Sequence, residues 1–385
     1  MSVRRRTWKN RDGSQGESWI VNYTDQGGTR RMKSFERKRD ADAFHDTVRG
    51  EVRSGLHIPD SQSVTIAEAA GLWLESTAHL ERATCAGYRE HANLHIVPLL
   101  GEMKLSQLTV PAVRAFKDKL AKDRSPAMVR KVLTSLSSII TDAQERGLVA
   151  QNVVRGLRSI RRAKDPDHRH KRKLEVGVDI PTPDEISTII GALKQNSRWR
   201  PLLLTAIFTG LRSSELRGLR WADIELKRGV LHVRQRADRY NQIGPLKSGT
   251  SRRTIPLPPM LTNVLREWRL ACPKGELDLV FPSRCGKIED HTTIVHCGLI
   301  PAWVTAGVVT KAGKAKYTGM HALRHFYASW CINRKQDGGL ELPGKLVQAR
   351  LGHASIQITL DRYGHLFPSA DDGSELAAAE KALWR

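Results

Sequence analysis

Six side chains of this sequence suit the handling of an anion, and they follow one another in a fixed order: Arg212, Lys247, His321, Arg324, His353 and Tyr363. Arg212 lies in Thr209-Gly210-Leu211-Arg212-Ser213-Ser214-Glu215-Leu216, just after an apolar run. Gly210 can end one helix and Ser213 or Ser214 can cap the next, which puts Arg212 beside free backbone N–H groups, a seat for an anion. Lys247 sits in Pro245-Leu246-Lys247-Ser248, ahead of Ser251-Arg252-Arg253-Thr254-Ile255-Pro256, a spacing that predicts a hairpin with Lys247 at its tip. His321 and Arg324 are three apart in a helical stretch and share one face. His353 follows Leu351-Gly352, and Tyr363 stands ten residues further on. Taken singly, each has an ordinary explanation as a surface charge, a capping or packed histidine, or a core tyrosine. The order Arg, Lys, His-x-x-Arg, His, Tyr over about 150 residues is the signal.

Other chemistries fall away. The stretch Gly307 to Ala315 imitates a phosphate loop but has one residue too many between its glycines, and Ala315 stands where a Ser or Thr must hold magnesium. His321-Ala322-Leu323-Arg324-His325 lacks the glutamate of a zinc protease helix, and no carboxylate cluster suggests a two-metal nuclease. The five cysteines show no C-x-x-C spacing, and their scarcity fits a reducing cytoplasm. No metal and no cofactor is expected. Lysine and arginine number 63 against 40 acidic residues, a formal charge of +23 on 385 residues, which favours a polyanionic partner. Hydrophobic residues make 40%, enough for real cores. No apolar run approaches the roughly 18 residues of a membrane span, and Arg4, Arg5 and Arg6 are followed by no apolar segment of a secretory signal. A membrane protein, a secreted disulfide scaffold and a fibrous protein are thereby excluded.

The elements that must position these residues fall into three blocks. Residues 1–60 begin with β-like runs at Trp19 to Tyr23 and Thr29 to Phe35 around the glycine turn at Gly27 and Gly28, then a helix from Asp40 to Arg53. Arg30, Arg31 and Lys33 give that small sheet a basic strand, expected to lie along a groove of DNA. Residues 64–160 read as four helices: one from the capping box Thr65 to Glu68, one over Ala83 to His95, one after Thr109 and Pro111, and a long one from Ser125 and Pro126. A basic linker follows at 161–180. Arg161 and Arg162 belong to a run of nine basic residues between Arg155 and Lys173, opposed by Asp165 and Asp167. Such a bridge suits a clamp around a duplex. A second capping box, Thr182 to Glu185, opens a mixed block over 181–385, with strands near Val230 to Arg234 and Arg253 to Leu257.

On these residues the sequence resembles the tyrosine recombinases, the phage-type integrases, over nearly its whole length. The resemblance implies a multidomain fold: a small β-sheet plus helix for binding arm-type DNA (1–60), an all-α, SAM-like core-binding domain (64–160), the linker, and a mixed α+β catalytic domain (181–385). Arg212 looks like the family's first catalytic arginine and Lys247 like its hairpin lysine. His321 and Arg324 look like its His-x-x-Arg pair, His353 like its Leu-Gly-His histidine and Tyr363 like its nucleophile. Glu215 matches the acid that supports the first arginine. Ala322, where the family often has aspartate, and Phe326-Tyr327, in place of a common Thr-Phe, depart from the pattern at non-catalytic positions.

The implied activity is site-specific DNA recombination through a 3′-phosphotyrosyl intermediate. Arg212, Arg324 and His353 would bind the phosphate oxygens, His321 would take the Tyr363 proton, and Lys247 would protonate the leaving 5′-oxygen. An integrase of a phage or mobile element is the first reading. A chromosome- or plasmid-resolving recombinase, a type IB topoisomerase and a DNA-binding regulator with an inactive recombinase fold remain as alternatives. The implied partners are double-stranded DNA at attachment sites, three further copies of the chain in a homotetramer on DNA, and accessory DNA-bending or directionality proteins. No membrane is implied, and the location expected is the cytoplasm, at the nucleoid. Tyr363 is expected among polar residues, within reach of a DNA backbone, and the apolar tail helix with Leu376, Leu383 and Trp384 is a candidate for docking on a neighbouring protomer.

Overall fold

The computed structural model describes residues 1–9, 12, 14–25, 27–53, 57–162, 173–194, 197–246, 249–367 and 374–384. The chain divides into two compact units, Met1–Asp167 and His168–Arg385.

The first unit opens on an antiparallel sheet in the order β1-β2-β3, with β1 Ser2–Lys9, β2 Gln15–Thr24 and β3 Arg30–Phe35. Helix α1 (Lys38–Arg53) covers one face. Pairing of Val21 with both Val3 and Lys33, and of Trp19 with Arg5 and Phe35, puts these residues on that face. There Val21, Tyr23, Ala41 and Val48 form a small core with Phe35 and Phe44. Strand β1 is absent from the sequence expectation because its arginines mask the alternation that marks a half-buried strand.

Helices α2 (Ile66–Ser76), α3 (Arg82–His91), α4 (Val97–Leu100), α5 (Val110–Asp123), α6 (Pro126–Glu145) and α7 (Val153–Arg162) make the rest of the unit. The capping box at Thr65 and Glu68 closes reciprocally, and the Thr109 and Ser125 hydroxyls accept from the first turns of α5 and α6. Ile66, Trp73, Ile96, Phe116, Val132, Leu136 and Ile139 fill a second, separate core. The helix expected over Ala83 to His95 is longer: a π-turn over Ala92–Ile96 carries α3 into α4. Helix α7 corrects the start of the expected linker, since it carries Arg161 and Arg162 as its last residues. Val154 is buried in the helical core, with Val153 and Leu157 against it, so three apolar residues among the arginines suffice to dock the turn.

The second unit contains α8 (Pro183–Ala192), α9 (Trp199–Thr209), α10 (Ser213–Arg217), β4 (Ile224–Glu225), β5 (Val230–Val233), β6 (Gln235–Ala237), β7 (Ile243–Pro245), β8 (Arg253–Pro256) and α11 (Pro259–Ala271). It continues with α12 (His291–Thr293), α13 (Ile300–Thr305), α14 (His321–Ile332), α15 (Gly344–Leu351), α16 (Ile356–Tyr363) and α17 (Ser374–Leu383). Strands β4, β5 and β8 form one antiparallel sheet, and β6 and β7 a separate hairpin. Helix α9 is apolar on all sides and lies in the middle of the main core with Leu231, Ile255, Leu265, Trp303 and Leu323. The end of the expected linker belongs here too: Ile180 is fully buried in this core. On α17, Leu376 and Leu383 are exposed, as is Trp384 beyond it. No helix of the described residues is long and apolar enough to cross a membrane.

Candidate active site

The site grows from two glycine corners. Helix α9 stops at Gly210, whose φ of 59° is left-handed. A side chain there would put its Cβ 2.3 Å from Cδ1 of Tyr327, so glycine is required twice over. The corner delivers Arg212 to the start of α10, where Glu215 Oε2 accepts from its backbone N–H at 2.8 Å and Oε1 from its Nη1 at 2.7 Å. Helix α15 stops in the same way at Gly352, φ 63°, and the turn presents His353.

The last carbonyls of α15 organise three arginines from three other segments. Arg253 Nε donates to the Arg350 carbonyl at 2.8 Å, Arg324 Nη2 to Leu351 at 2.6 Å and Arg212 Nη2 to Gly352 at 3.1 Å. A helix C-terminus leaves its final carbonyls without intrahelical donors and carries partial negative charge, so it suits cations. Arg324 also donates from Nη1 to the Gly210 carbonyl at 2.6 Å, which ties the two corners together. Burial, then the cation of Arg212, lowers the Arg324 pKa to about 9, which leaves it charged at neutral pH.

Glu215 is 2% exposed and is gripped from its other side by Arg253, Nη2 to Oε2 at 2.8 Å and Nη1 to Oε1 at 3.1 Å. Burial works to raise its pKa, but the bond to Arg253 and the charges of Arg253 and Arg212 hold the carboxyl at about 2. Arg212 is therefore aimed by a carboxylate and by a carbonyl, and among the described residues its remaining N–H groups meet no further acceptor, which suits them to an anion.

His353 is buried, and its Nδ1 lies 2.9 Å from Thr359 Oγ1. With that hydroxyl donating to Nδ1, the proton resides on Nε2. Burial, then Arg324 and Arg212, pushes its pKa down to about 3, so the ring is neutral at pH 7. Its plane lies 5° from that of Tyr363, with centroids 6.4 Å apart.

Tyr363 ends α16. The expectation of a tyrosine among polar residues is corrected here: Tyr363 is 1% exposed and packs with Tyr327, Cys331, Val347 and Leu351. The turn of α16 carries its ring inward while Ile358 and Leu360 stay at the surface. Burial raises the phenol pKa to about 12 against the opposing pull of Arg324 and Arg362. Its hydroxyl meets His325 Nδ1 at 2.7 Å. His321, one turn earlier on α14, is exposed, and its ring lies 5.4 Å from that of His325. Crowding on its inner side, then Arg324 and Arg362, lowers its pKa.

The structure thus brings Arg212, Glu215, Arg324, His353 and Tyr363 together, with His321 at the rim. Lys247 lies outside the described residues. Arg161 and Arg162 close α7, and their side chains also lie outside what is described. The basic strand does not act as one face. Strand alternation turns Arg31 and Lys33 toward α1, where Arg31 pairs with Asp25 at 2.9 Å and Lys33 with Asp60 at 2.5 Å, its ammonium 4.7 Å over the Phe44 ring. Arg30 points to the opposite face, which it shares with Arg4, Arg6, Trp8 and Met32.

Two residues escaped the sequence reading. Arg253 alternates with buried Ile255 on β8, and an arginine on the apolar side of a strand signals a buried acid. His325 follows His321 by four, on the same helix face. Among the described residues no group of three or more His, Cys, Asp or Glu side chains is placed to hold a metal ion.

The chain is similar to proteins of one known family. Residues 181–369 match the family model described as "Phage integrase family", and residues 65–121 match "Phage integrase, N-terminal SAM-like domain". The chain is 27% identical over 375 residues to the "Tyrosine recombinase XerC-like" protein of Caldanaerobacter subterraneus subsp. tengcongensis, covering 89% of this chain and 90% of that one. It is 30% identical over 243 residues to "Tyrosine recombinase XerC" of Xylella fastidiosa (strain M23), 63% of this chain and 71% of that one. Among solved structures, the Tn1549 transposon integrase in complex with a circular intermediate DNA aligns with TM-score 0.65, covering 83% of this chain and 100% of that one. At 16% identity that likeness speaks for the fold.

Proposed function

The chain belongs to the phage integrase family and is a tyrosine-type site-specific DNA recombinase, and from that premise we propose that Tyr363 attacks a DNA phosphodiester held by Arg212, Arg324 and His353. Attack on the phosphorus builds negative charge on the non-bridging oxygens. The two guanidinium forks and the Nε2–H of His353 meet that charge with donors already fixed in place, so little reorganisation is needed as it develops. Glu215 and the carbonyls of Leu351, Gly352 and Gly210 orient the forks. Lys247 is the proposed general acid for the departing 5′-oxygen, the task that the resemblance to the family's hairpin lysine implies. The 3′-phosphotyrosyl product keeps the energy of the phosphodiester, so the 5′-hydroxyl of a partner strand can reverse the step without ATP.

The observation that carries this reading is the convergence of Arg212, Arg324, His353 and Tyr363, from four separate segments, around the Gly352 corner. Residues from about 174 to 385 are the proposed catalytic domain, 64–162 the core-binding domain with Arg161 and Arg162 at its end contacting phosphates, the basic stretch between the two the linker, and 1–60 the arm-type DNA-binding domain. For the arm, the outward face with Arg4, Arg6 and Arg30 is the better candidate, because Arg31 and Lys33 are spent on Asp25 and Asp60. That extra basic sheet favours an integrase of a phage or mobile element over a chromosome-resolving enzyme. Strand exchange between two duplexes needs four cleavages and hence a tetramer on DNA, in the cytoplasm, with accessory DNA-bending proteins as further partners.

Covalent trapping tests the reading. Nicked duplexes tiled from the DNA flanking the gene are incubated with wild type and with Tyr363→Phe. A protein–DNA band that survives denaturation and is missing only in the variant is expected. Specific binding with no covalent product would refute cleavage and favour a DNA-binding regulator.

A further inference from the structure

The hydroxyl of Tyr363 rests on a histidine to which the scheme above gives no task. His325 Nδ1 lies 2.7 Å from Oη, with ring centroids 5.8 Å apart at 60°. His321, the histidine the family resemblance assigns to this proton, sits edge-on to His325, 5.4 Å between centroids. Proton transfer runs along a hydrogen bond, and the contact that exists is with His325. We propose that His325, rather than His321, is the catalytic residue that takes the Tyr363 proton in strand cleavage. The inference rests on the recombinase reading and assigns one of its steps.

A lone pair on Oη forms the Oη–P bond while the hydroxyl proton moves to His325 Nδ1. The P–O5′ bond breaks, its electron pair leaves on the 5′-oxygen, and the general acid protonates that oxygen. In rejoining, a 5′-hydroxyl attacks phosphorus and returns its proton to the deprotonated general acid, the Oη–P bond breaks, and Oη recovers its proton from His325. The neighbourhood favours prompt return of that proton. Burial, then His321, Arg362 and Arg324, holds the imidazolium form down, with Asp179 opposing weakly.

The test uses the full chain and the nicked duplex located by trapping. His325→Asn keeps an acceptor near the Nδ1 position but removes the basic nitrogen. Tyrosine or a ring-fluorinated tyrosine, whose phenol is more acidic, is installed at position 363. Expected for His325→Asn is retained DNA binding with cleavage slowed by about 10²–10⁴-fold, the range of a lost general base. Fluorination should then restore about tenfold in the variant and little in wild type, because an acidic phenol needs the base less. Cleavage by His325→Asn within a few-fold of wild type overturns the proposal, as does the same proportional effect of fluorination in both proteins.

Should His325→Asn not bind the duplex, wild type carrying the fluorinated tyrosine decides. The acid limb of its cleavage profile should stay in place, since it follows an imidazole set among His321, Arg324, Arg362 and Asp179. A limb that moves down with the phenol pKa overturns the proposal. A wild type that traps no duplex refutes the recombinase reading, and this step with it.

Discussion

Replacing Glu215 with glutamine tests the anchoring of the first arginine most sharply. The carboxylate is 2% exposed and accepts four hydrogen bonds, two from Arg212 and two from Arg253. Its pKa falls from 4.5 to about 2. At about 1.36 kcal/mol per pH unit, that difference makes the charged form worth roughly 3 kcal/mol to folding. The folded pKa lies below the unfolded one, so this contribution is complete above about pH 4.5 and fades as pH falls toward 2. Glutamine keeps the shape and removes the charge, and its amide donors face the donors of Arg253 and of the Arg212 backbone. A buried guanidinium is left without its counter-charge, a loss of about 3–5 kcal/mol at pH 7. The deficit should shrink by about 1.4 kcal/mol at pH 3.5, because wild type is by then losing its own advantage. Urea unfolding of the full chain, followed by tryptophan fluorescence at the two pH values, reads both quantities. The double variant Glu215→Gln with Arg253→Met should regain part of the stability, since both buried partners go together. Its cleavage should stay low, since Arg212 has lost the carboxylate that aims it. A single variant within about 1 kcal/mol of wild type at pH 7, or an equal deficit at both pH values, would refute the reasoning.

Tyr363→Phe should keep specific DNA binding and yield no denaturation-resistant adduct, and one surviving adduct on a gel would move the nucleophile elsewhere. Gly210→Ala should cost about 2–4 kcal/mol in melting experiments, from its left-handed backbone and the collision with Tyr327 together. Gly147→Ala, with φ 73° but open space around it, should cost only about 1 kcal/mol. Equal costs would show that the Tyr327 contact relaxes. Truncating Arg4, Arg6 and Arg30 should lower the salt dependence of DNA binding by about 0.9 in slope per lost phosphate contact. Arg31→Ala should leave that slope unchanged and loosen the sheet instead, and a slope that responds to Arg31 alone would reverse the assignment of faces.

What the sequence discloses about this site is the part that depends on short spacing. Gly210 and Gly352 announce helix ends, His321 and Arg324 share a face by their separation, and the capping boxes at Thr65 and Thr182 both close as the residue pattern predicts. The hidden part depends on long closures. Arg253 meets Glu215, and His325 meets Tyr363, each across 38 positions. No local pattern gives such pairs. The burial of Tyr363 was hidden for the same reason: α16 looks polar around its end, and only the packing of α14 and α15 encloses the ring. In the first block, composition showed a basic strand, but the two-residue period separates Arg30 from Arg31 and Lys33, and counting charges along a strand does not count them on a face.

The row of carbonyls at Arg350, Leu351 and Gly352 gives the reactive centre a frame made of main chain. Three cations are spaced by the pitch of one helix end rather than by any side chain of that helix. The count of residues there matters as much as their names: a one-residue insertion or deletion in the final turn of α15 would deal each arginine the wrong acceptor. Alanine scanning would not isolate this frame, since every alanine still carries a carbonyl, and alanine at Leu351 or Gly352 reports on core packing and the left-handed corner instead. Replacing single amides with esters along the turn, which weakens the carbonyl acceptor and leaves the side chain intact, is the chemistry that would make the frame visible.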